Sequence, residues 1–209
     1  MTDTWTRAEK AKKAARRLFP GADWEELDER IYVAKSKLKR AEKAQKKRDA
    51  KLAKGEEAGE DDWTNFLNER ENAEILRDLG HTVYLVPETT RGKGSIPQFD
   101  ALVDGKKMEF KNMTSDNFDT FAGHFLKSRT QAPNVFFNLE KAEISSSMVR
   151  NYLSRARFSD KYPVWHKEDK ENKTFKGGEA IFKIKGHNGL IRIRVNKIKQ
   201  PGSTEPGST

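Results

Sequence analysis

"QFDALVDGKKMEFKN", residues 98–112, decides how the rest of the chain is read. Asp104-Gly105 separates two short β-prone runs, and a two-residue hairpin needs positive φ at both central positions, which Asp-Gly tolerates. On the returning strand Glu109 and Lys111 share one face while Met108 and Phe110 share the other. One face packs, and the other carries an acid and a base. Pairing across the turn sets Asp100 near Glu109. Two converging carboxylates repel each other unless a cation lies between them, and hard oxygen donors select Mg²⁺ or Mn²⁺. A lysine beside such an ion can stabilise charge developing on a phosphate. An isolated E-x-K reads first as a surface salt bridge. The preceding helix adds weight, because Glu71 has Leu67 one turn before it and Ile75 one turn after it. That flank predicts a carboxylate held against a core, where it needs a partner. Glu74, flanked by Arg70 and Asp78 at the same spacing, reads as solvated.

Outward from the hairpin the pattern is α/β, with a mixed central sheet flanked by helices. A helix over about 64–79 stops at Gly80, and "HTVYLV" follows as a strand that Pro87 ends. "RGKGSIP" reads as a loop. After an N-cap cluster at Thr114, Ser115, Asp116 and Asn117 comes a helix over about 118–128, then the strand "NVFFNL". A helix over 147–156, a strand "PVWH" and a closing hairpin, "GEAIFKIKG" with "GLIRIRVNKIK", complete the domain. Alternation in that hairpin aligns Arg192 with Arg194, and Lys183 with Lys185, as a basic stripe able to track a nucleic-acid backbone.

Toward the N-terminus two helices are predicted. One is "RAEKAKKAARRLF", up to Pro20-Gly21. The second starts at Asp23 with Glu26 at capping-box spacing and carries Leu27, Ile31, Ala34, Leu38 and Ala41 as a packed seam. The lysine-rich run 35–54 reads as a solvated helix face before it reads as a phosphate track. "KGEEAGEDD" changes charge sign and supplies two glycines, so the expected division is 1–60 as a basic helical extension and linker, 61–199 as the α/β domain, and 200–209 as a disordered tail or appended linker.

Composition agrees with a polyanionic partner: 209 residues carry a net charge of +9, with 34% hydrophobic residues. The absence of cysteine excludes disulfides and thiolate metal sites. His81, His124, His166 and His187 are scattered without helical ligand spacing. No apolar run has the length of a membrane span or a signal-peptide core, so the chain is expected to be soluble.

The order of a helix acid, a strand, D-x(8)-E-x-K on a hairpin, a helix and a strand resembles the PD-(D/E)xK nuclease superfamily, with its restriction-endonuclease-like core. Within it, "ENAEILRDLGHTVYLVPE", "FDALVDGKKMEFKN" and "TQAPNVFFNLEK" resemble the C-terminal tRNase toxin domains of contact-dependent growth inhibition proteins, over about 68–165. Phe99 stands where the superfamily motif has proline, and Pro97 is displaced. The resemblance implies metal ligands at Glu71, Asp100 and Glu109, a catalytic lysine at Lys111 and a supporting polar residue at Gln131. It implies a Mg²⁺- or Mn²⁺-dependent endoribonuclease toxin cleaving tRNA in the bacterial cytoplasm, delivered as part of a larger toxin or phage protein, with a cognate immunity protein. A DNA endonuclease of the same superfamily and a non-catalytic basic nucleic-acid-binding module or phage structural fragment are the alternatives.

Overall fold

A computed structural model describes residues 6–88, 99–129, 131–156, 178–187 and 189–195. Among the described residues five helices, α1 (Arg7–Leu18), α2 (Lys35–Leu52), α3 (Asp62–Asp78), α4 (Phe118–Arg129) and α5 (Ser146–Ala156), accompany a sheet of eight strands. The strands are β1 (Trp24–Asp28), β2 (Ile31–Ala34), β3 (Val83–Leu85), β4 (Ala101–Val103), β5 (Lys106–Asn112), β6 (Asn134–Leu139), β7 (Gly178–Ile184) and β8 (Leu190–Val195). They lie side by side in chain order. The β2/β3, β5/β6 and β6/β7 pairs are parallel, the other four antiparallel, so the sheet is mixed as expected.

Strand alternation assigns each residue to one of two covered faces. On the first face Val83, Leu85, Ala101, Val103, Met108 and Phe110 pack with Ala41 of α2 and with Phe66, Ala73 and Leu76 of α3. On the second, α1 covers Tyr84 and Leu102 through Ala11, Ala14 and Ala15, while Phe121 and Phe125 of α4 cover Val135, Phe137 and Phe182. The aromatic rings there meet at 5.3 Å for Phe121/Phe137 and 5.6 Å for Phe137/Phe182, within the range of favourable ring pairs.

The central hairpin forms at the Asp-Gly turn, with Asp104 at φ 49° and Gly105 at φ 82°. A Cβ on Gly105 would stand 2.8 Å from the backbone oxygen of Lys10, so the turn's glycine also admits the close approach of α1. Gly80, at φ 80°, ends α3 where expected. Asn117 accepts from the amides of Asp119 at 2.8 Å and Thr120 at 3.3 Å, capping α4.

The N-terminal segment departs from expectation. Residues 24–34 form a hairpin, with Arg30 at φ 63° in its turn, where a helix from Asp23 was expected. Ile31 and Val33 alternate with Tyr32, and β2 pairs with β3, so the apolar rhythm read as a helical seam belongs to a strand followed by a helix starting at Lys35. Ile31, Val33 and Ala41 enter the same core as the central hairpin. The linker-like stretch after α2 therefore joins two helices over one sheet; it does not separate an extension from a domain. The loop 91–97, the strand expected at 163–166, His166 and the tail 200–209 lie outside the described residues. Among the described residues no helix is long and apolar enough to cross a membrane.

Candidate functional site

The β4/β5 register, continued one residue beyond Ala101↔Met108, sets Asp100 against Glu109. The strand fixes the rest: Asp100 donates its amide to Met108 O at 3.1 Å, and its Oδ2 accepts the Phe110 amide at 2.7 Å. Asp100 is thus oriented by the backbone it pairs with. Glu109 points to the second face, between the α1 and α4 clusters, and is 2% exposed. Its Oε1 accepts a hydrogen bond from Lys111 Nζ. Its Oε2 is buried and has no hydrogen-bond partner among the described residues. Burial, and after it the charge of Asp100 and a hydrogen bond shared with the Asp100 carboxylate, push the Glu109 carboxyl up from 4.5 to about 8, against the pull of Lys111. At neutral pH the pair therefore holds a proton, or a cation that replaces it.

A second acid joins from the other face. Glu69 of α3 is 14% exposed and ion-paired at 2.5 Å with Lys37 of α2, itself 5% exposed. Burial raises Glu69 to about 7; Lys37 opposes this, and the charges of Asp100 and Glu88 add to it. Asp100, at the mouth of β4, is thus felt by acids on both sides of the sheet. Asn68 of α3 accepts from Asn112 Nδ2 at 3.3 Å, tying the helix to β5 beyond Lys111.

Glu71 is where the sequence reading and the geometry part. Its neighbour Leu67 is 42% exposed. Glu71 itself is 35% exposed and ion-paired at 2.9 Å with Lys141, after β6. The helix turns its Phe66, Glu69, Ala73, Leu76 stripe toward the sheet, so the buried acid is Glu69 and the expectation of a buried Glu71 is corrected. The three-four-three spacing of that stripe was the signal that could have found it. Lys37 was also missed, as a lysine inside a basic helix gives no sign of being the buried one.

Gln131 follows α4, donates its amide to Ser128 O at 3.0 Å and leaves a buried Oε1 without a hydrogen-bond partner among the described residues. The next residue, Ala132, packs with Phe99 and Leu102. The C-terminal basic stripe is engaged in ion pairs. Lys183 pairs with Glu140 at 3.4 Å, Lys185 with Glu143, and Arg192 with Glu179 at 3.8 Å. Arg192 also donates to His81 Nε2 at 2.6 Å, while His81 Nδ1 meets Asp104 Oδ2 at 2.6 Å. Burial works to raise Asp104, but the hydrogen bonds from His81 and the Thr82 amide outweigh it and hold the carboxyl below its usual range. Arg192 thus closes a contact between β8 and the central hairpin. The Arg194 side chain lies outside the described residues.

Among the described residues no cluster of three or more His, Cys, Asp or Glu side chains is disposed to hold a metal. The two-carboxylate set still fits a hard divalent ion, because Mg²⁺ keeps several waters and takes one or two carboxylates. Glu109 Oε2 is the orphaned oxygen that such an ion would satisfy.

Residues 97–189 match the family model of the contact-dependent growth inhibition CdiA C-terminal domain. The matched stretch holds Asp100, Glu109, Lys111 and Gln131, and leaves out α1, α2 and α3 with Glu69 and Glu71. A solved CdiA-CT/CdiI toxin and immunity complex from Burkholderia pseudomallei aligns with 19% identity and a TM-score of 0.46, covering 66% of this chain and 90% of that one. No curated protein sequence matches the chain.

Proposed function

We propose that this chain is a contact-dependent growth inhibition toxin domain that hydrolyses a phosphodiester bond in tRNA, with Asp100, Glu109 and Lys111 at the reacting centre of a PD-(D/E)xK-type nuclease core. The observation that carries the reading is Glu109: a carboxylate buried on a strand, one oxygen unpartnered, pushed to about 8 beside Asp100 and held by Lys111. A structural salt bridge has no need of a buried, unpartnered oxygen, since that arrangement costs stability unless another ligand completes it. The family match over 97–189 supports the toxin class. The choice of tRNA rests on the sequence resemblance.

Asp100 and Glu109 would hold Mg²⁺ or Mn²⁺, which when bound supplies Lewis acidity toward the phosphoryl oxygen. The chain does the rest. The Phe110 amide fixes Asp100 Oδ2, so that carboxylate needs no reorganisation when substrate arrives. Glu109 would be ionised with the ion in place, and Lys111 Nζ, tethered to Glu109 Oε1, would present positive charge where the phosphate gains negative charge. Gln131, whose buried Oε1 has no hydrogen-bond partner among the described residues, would orient water or phosphate. Glu69 supplies negative charge behind Asp100, and Glu71, tied to Lys141, takes a peripheral place in this scheme. The toxin would act in the bacterial cytoplasm after delivery within a larger protein, and its producer would need a cognate immunity protein.

Incubation of the purified protein with total tRNA and with plasmid, each in Mg²⁺ and in EDTA, tests the reading. Fragmentation of tRNA in Mg²⁺ alone supports it. Cutting of plasmid with tRNA intact would assign the site to DNA, and cutting of neither would remove the enzyme reading.

A further inference from the structure

The strongest basic feature outside the site is a groove of about 570 Å³ between α2 and the segment 58–62 that leads into α3. Lys43, Lys47 and Lys51 line it at four-residue intervals along α2. They are exposed and have no ion pair among the described residues. The other wall is acidic, and two of its three acids are answered by arginines. Arg40 donates to both oxygens of Asp62, at 2.7 and 2.9 Å. Arg48 pairs with Asp61 at 3.8 Å and donates to Gly59 O at 3.2 Å and Thr64 Oγ1 at 3.1 Å. Glu60 is the remaining acid on that wall. The two arginines answer Asp61 and Asp62 and brace the wall, leaving three lysines in a line about 12 Å long.

The groove also has a direction. Lys37, which holds Glu69 behind Asp100, is one turn of α2 before Arg40, and Arg40 ion-pairs with Glu88, one of the charges that raise Glu69. From Arg40 to Lys51 the helix then advances about 16 Å. A row of exposed, evenly spaced cations with no ion pair among the described residues, on the helix whose Lys37 holds Glu69, suits a chain of phosphates better than a single small anion.

We propose that this groove is a substrate-tracking subsite in which Lys43, Lys47 and Lys51 bind the phosphodiester backbone of an RNA whose scissile phosphate lies at Asp100, Glu109 and Lys111. The proposal rests on the nuclease reading given above. It takes the place, as the principal backbone contact, of the C-terminal strands, where Lys183, Lys185 and Arg192 are ion-paired with Glu140, Glu143 and Glu179.

The experiment compares the wild type, the K43Q/K47Q/K51Q variant and a K39Q/K46Q/K54Q control, which removes the same charge from exposed lysines near the groove but not lining it. Binding of labelled tRNA is followed by fluorescence anisotropy in EDTA across a salt series, and cleavage by single turnover at saturating enzyme with Mg²⁺. The groove variant is expected to bind about tenfold or more weakly at moderate salt and to lose about two counterions from its salt slope, with saturated cleavage near wild type. The control should move much less. Equal losses in both variants would reduce the effect to net charge and overturn the groove. So would a wild-type slope in the groove variant, which would leave the groove to another occupant such as an acidic protein. If the wild type binds and cleaves tRNA in either case, the nuclease reading stands without the groove; a wild type that neither binds nor cleaves removes both.

Discussion

Glu109→Gln keeps the shape of the side chain and removes its charge, which makes it the sharpest probe of the paired carboxylates. Burial and then Asp100 push Glu109 from 4.5 to about 8. A raised carboxyl pKa means that the folded state holds the proton more tightly than the unfolded chain. The stabilisation is fully present below about 4.5 and is lost as pH rises through about 8. At about 1.36 kcal/mol per pH unit the whole difference amounts to at most about 5 kcal/mol. Relaxation and water entry reduce what is realised to about 2–3 kcal/mol. At pH 5 wild type and Glu109→Gln should be nearly equal in stability, because both side chains are neutral. At pH 9, in EDTA, the variant should be the more stable by that amount, or by about 5–10 °C in Tm for a chain of this size. Urea and thermal unfolding at pH 5, 7 and 9 measure the difference, and Glu69, titrating in both proteins, cancels from it. Mg²⁺ should restore the wild type at pH 9 and leave the variant unmoved. A difference that stays constant from pH 5 to 9 would refute the reasoning, since it would mean that Glu109 titrates alike in the folded and unfolded chains.

Lys37→Met should destabilise the fold by about 3 kcal/mol, because it strands Glu69 in a buried position, whereas the Lys37→Met/Glu69→Leu double variant should recover most of the loss; urea unfolding of both, with wild type, closes the cycle. The His81 ring, between Asp104 and the donor-only guanidinium of Arg192, should be the neutral Nδ1–H tautomer, and ¹⁵N-edited NMR finding Nε2–H would contradict the contact.

The central hairpin was legible because its turn chemistry and its alternation agree: Asp104-Gly105 adopts the positive φ values that an Asp-Gly pair supplies, and Met108 and Phe110 pack while Glu109 and Lys111 face the other way. Asp100 and Glu109 met for the same reason, since a two-residue turn fixes register. Residues 24–34 were not legible, because Leu27, Ile31 and Ala34 fit a helical spacing as well as the Ile31/Val33 alternation that wins. What decides between them is the pairing of β2 with β3, about fifty residues away and invisible to local pattern. Glu71 failed similarly. Leu67 and Ile75 suggested a buried stripe, yet Phe66, Ala73 and Leu76 offer larger or better-spaced apolar surface, and α3 rotates to bury them with Glu69. The acids that engage the basic stripe on the last two strands, Glu140, Glu143 and Glu179, were not legible because they come together with it only in the folded chain.

The most direct test of the central claim is single-turnover cleavage of tRNA by Asp100→Asn, Glu109→Gln and Lys111→Ala, each first verified as folded by circular dichroism and unfolding. The three side chains act on one phosphate as a unit, so each variant should lose about a hundredfold or more in rate, with the double variants little worse than the singles. Folded Asp100→Asn and Glu109→Gln proteins that cut tRNA at the wild-type rate would contradict the account.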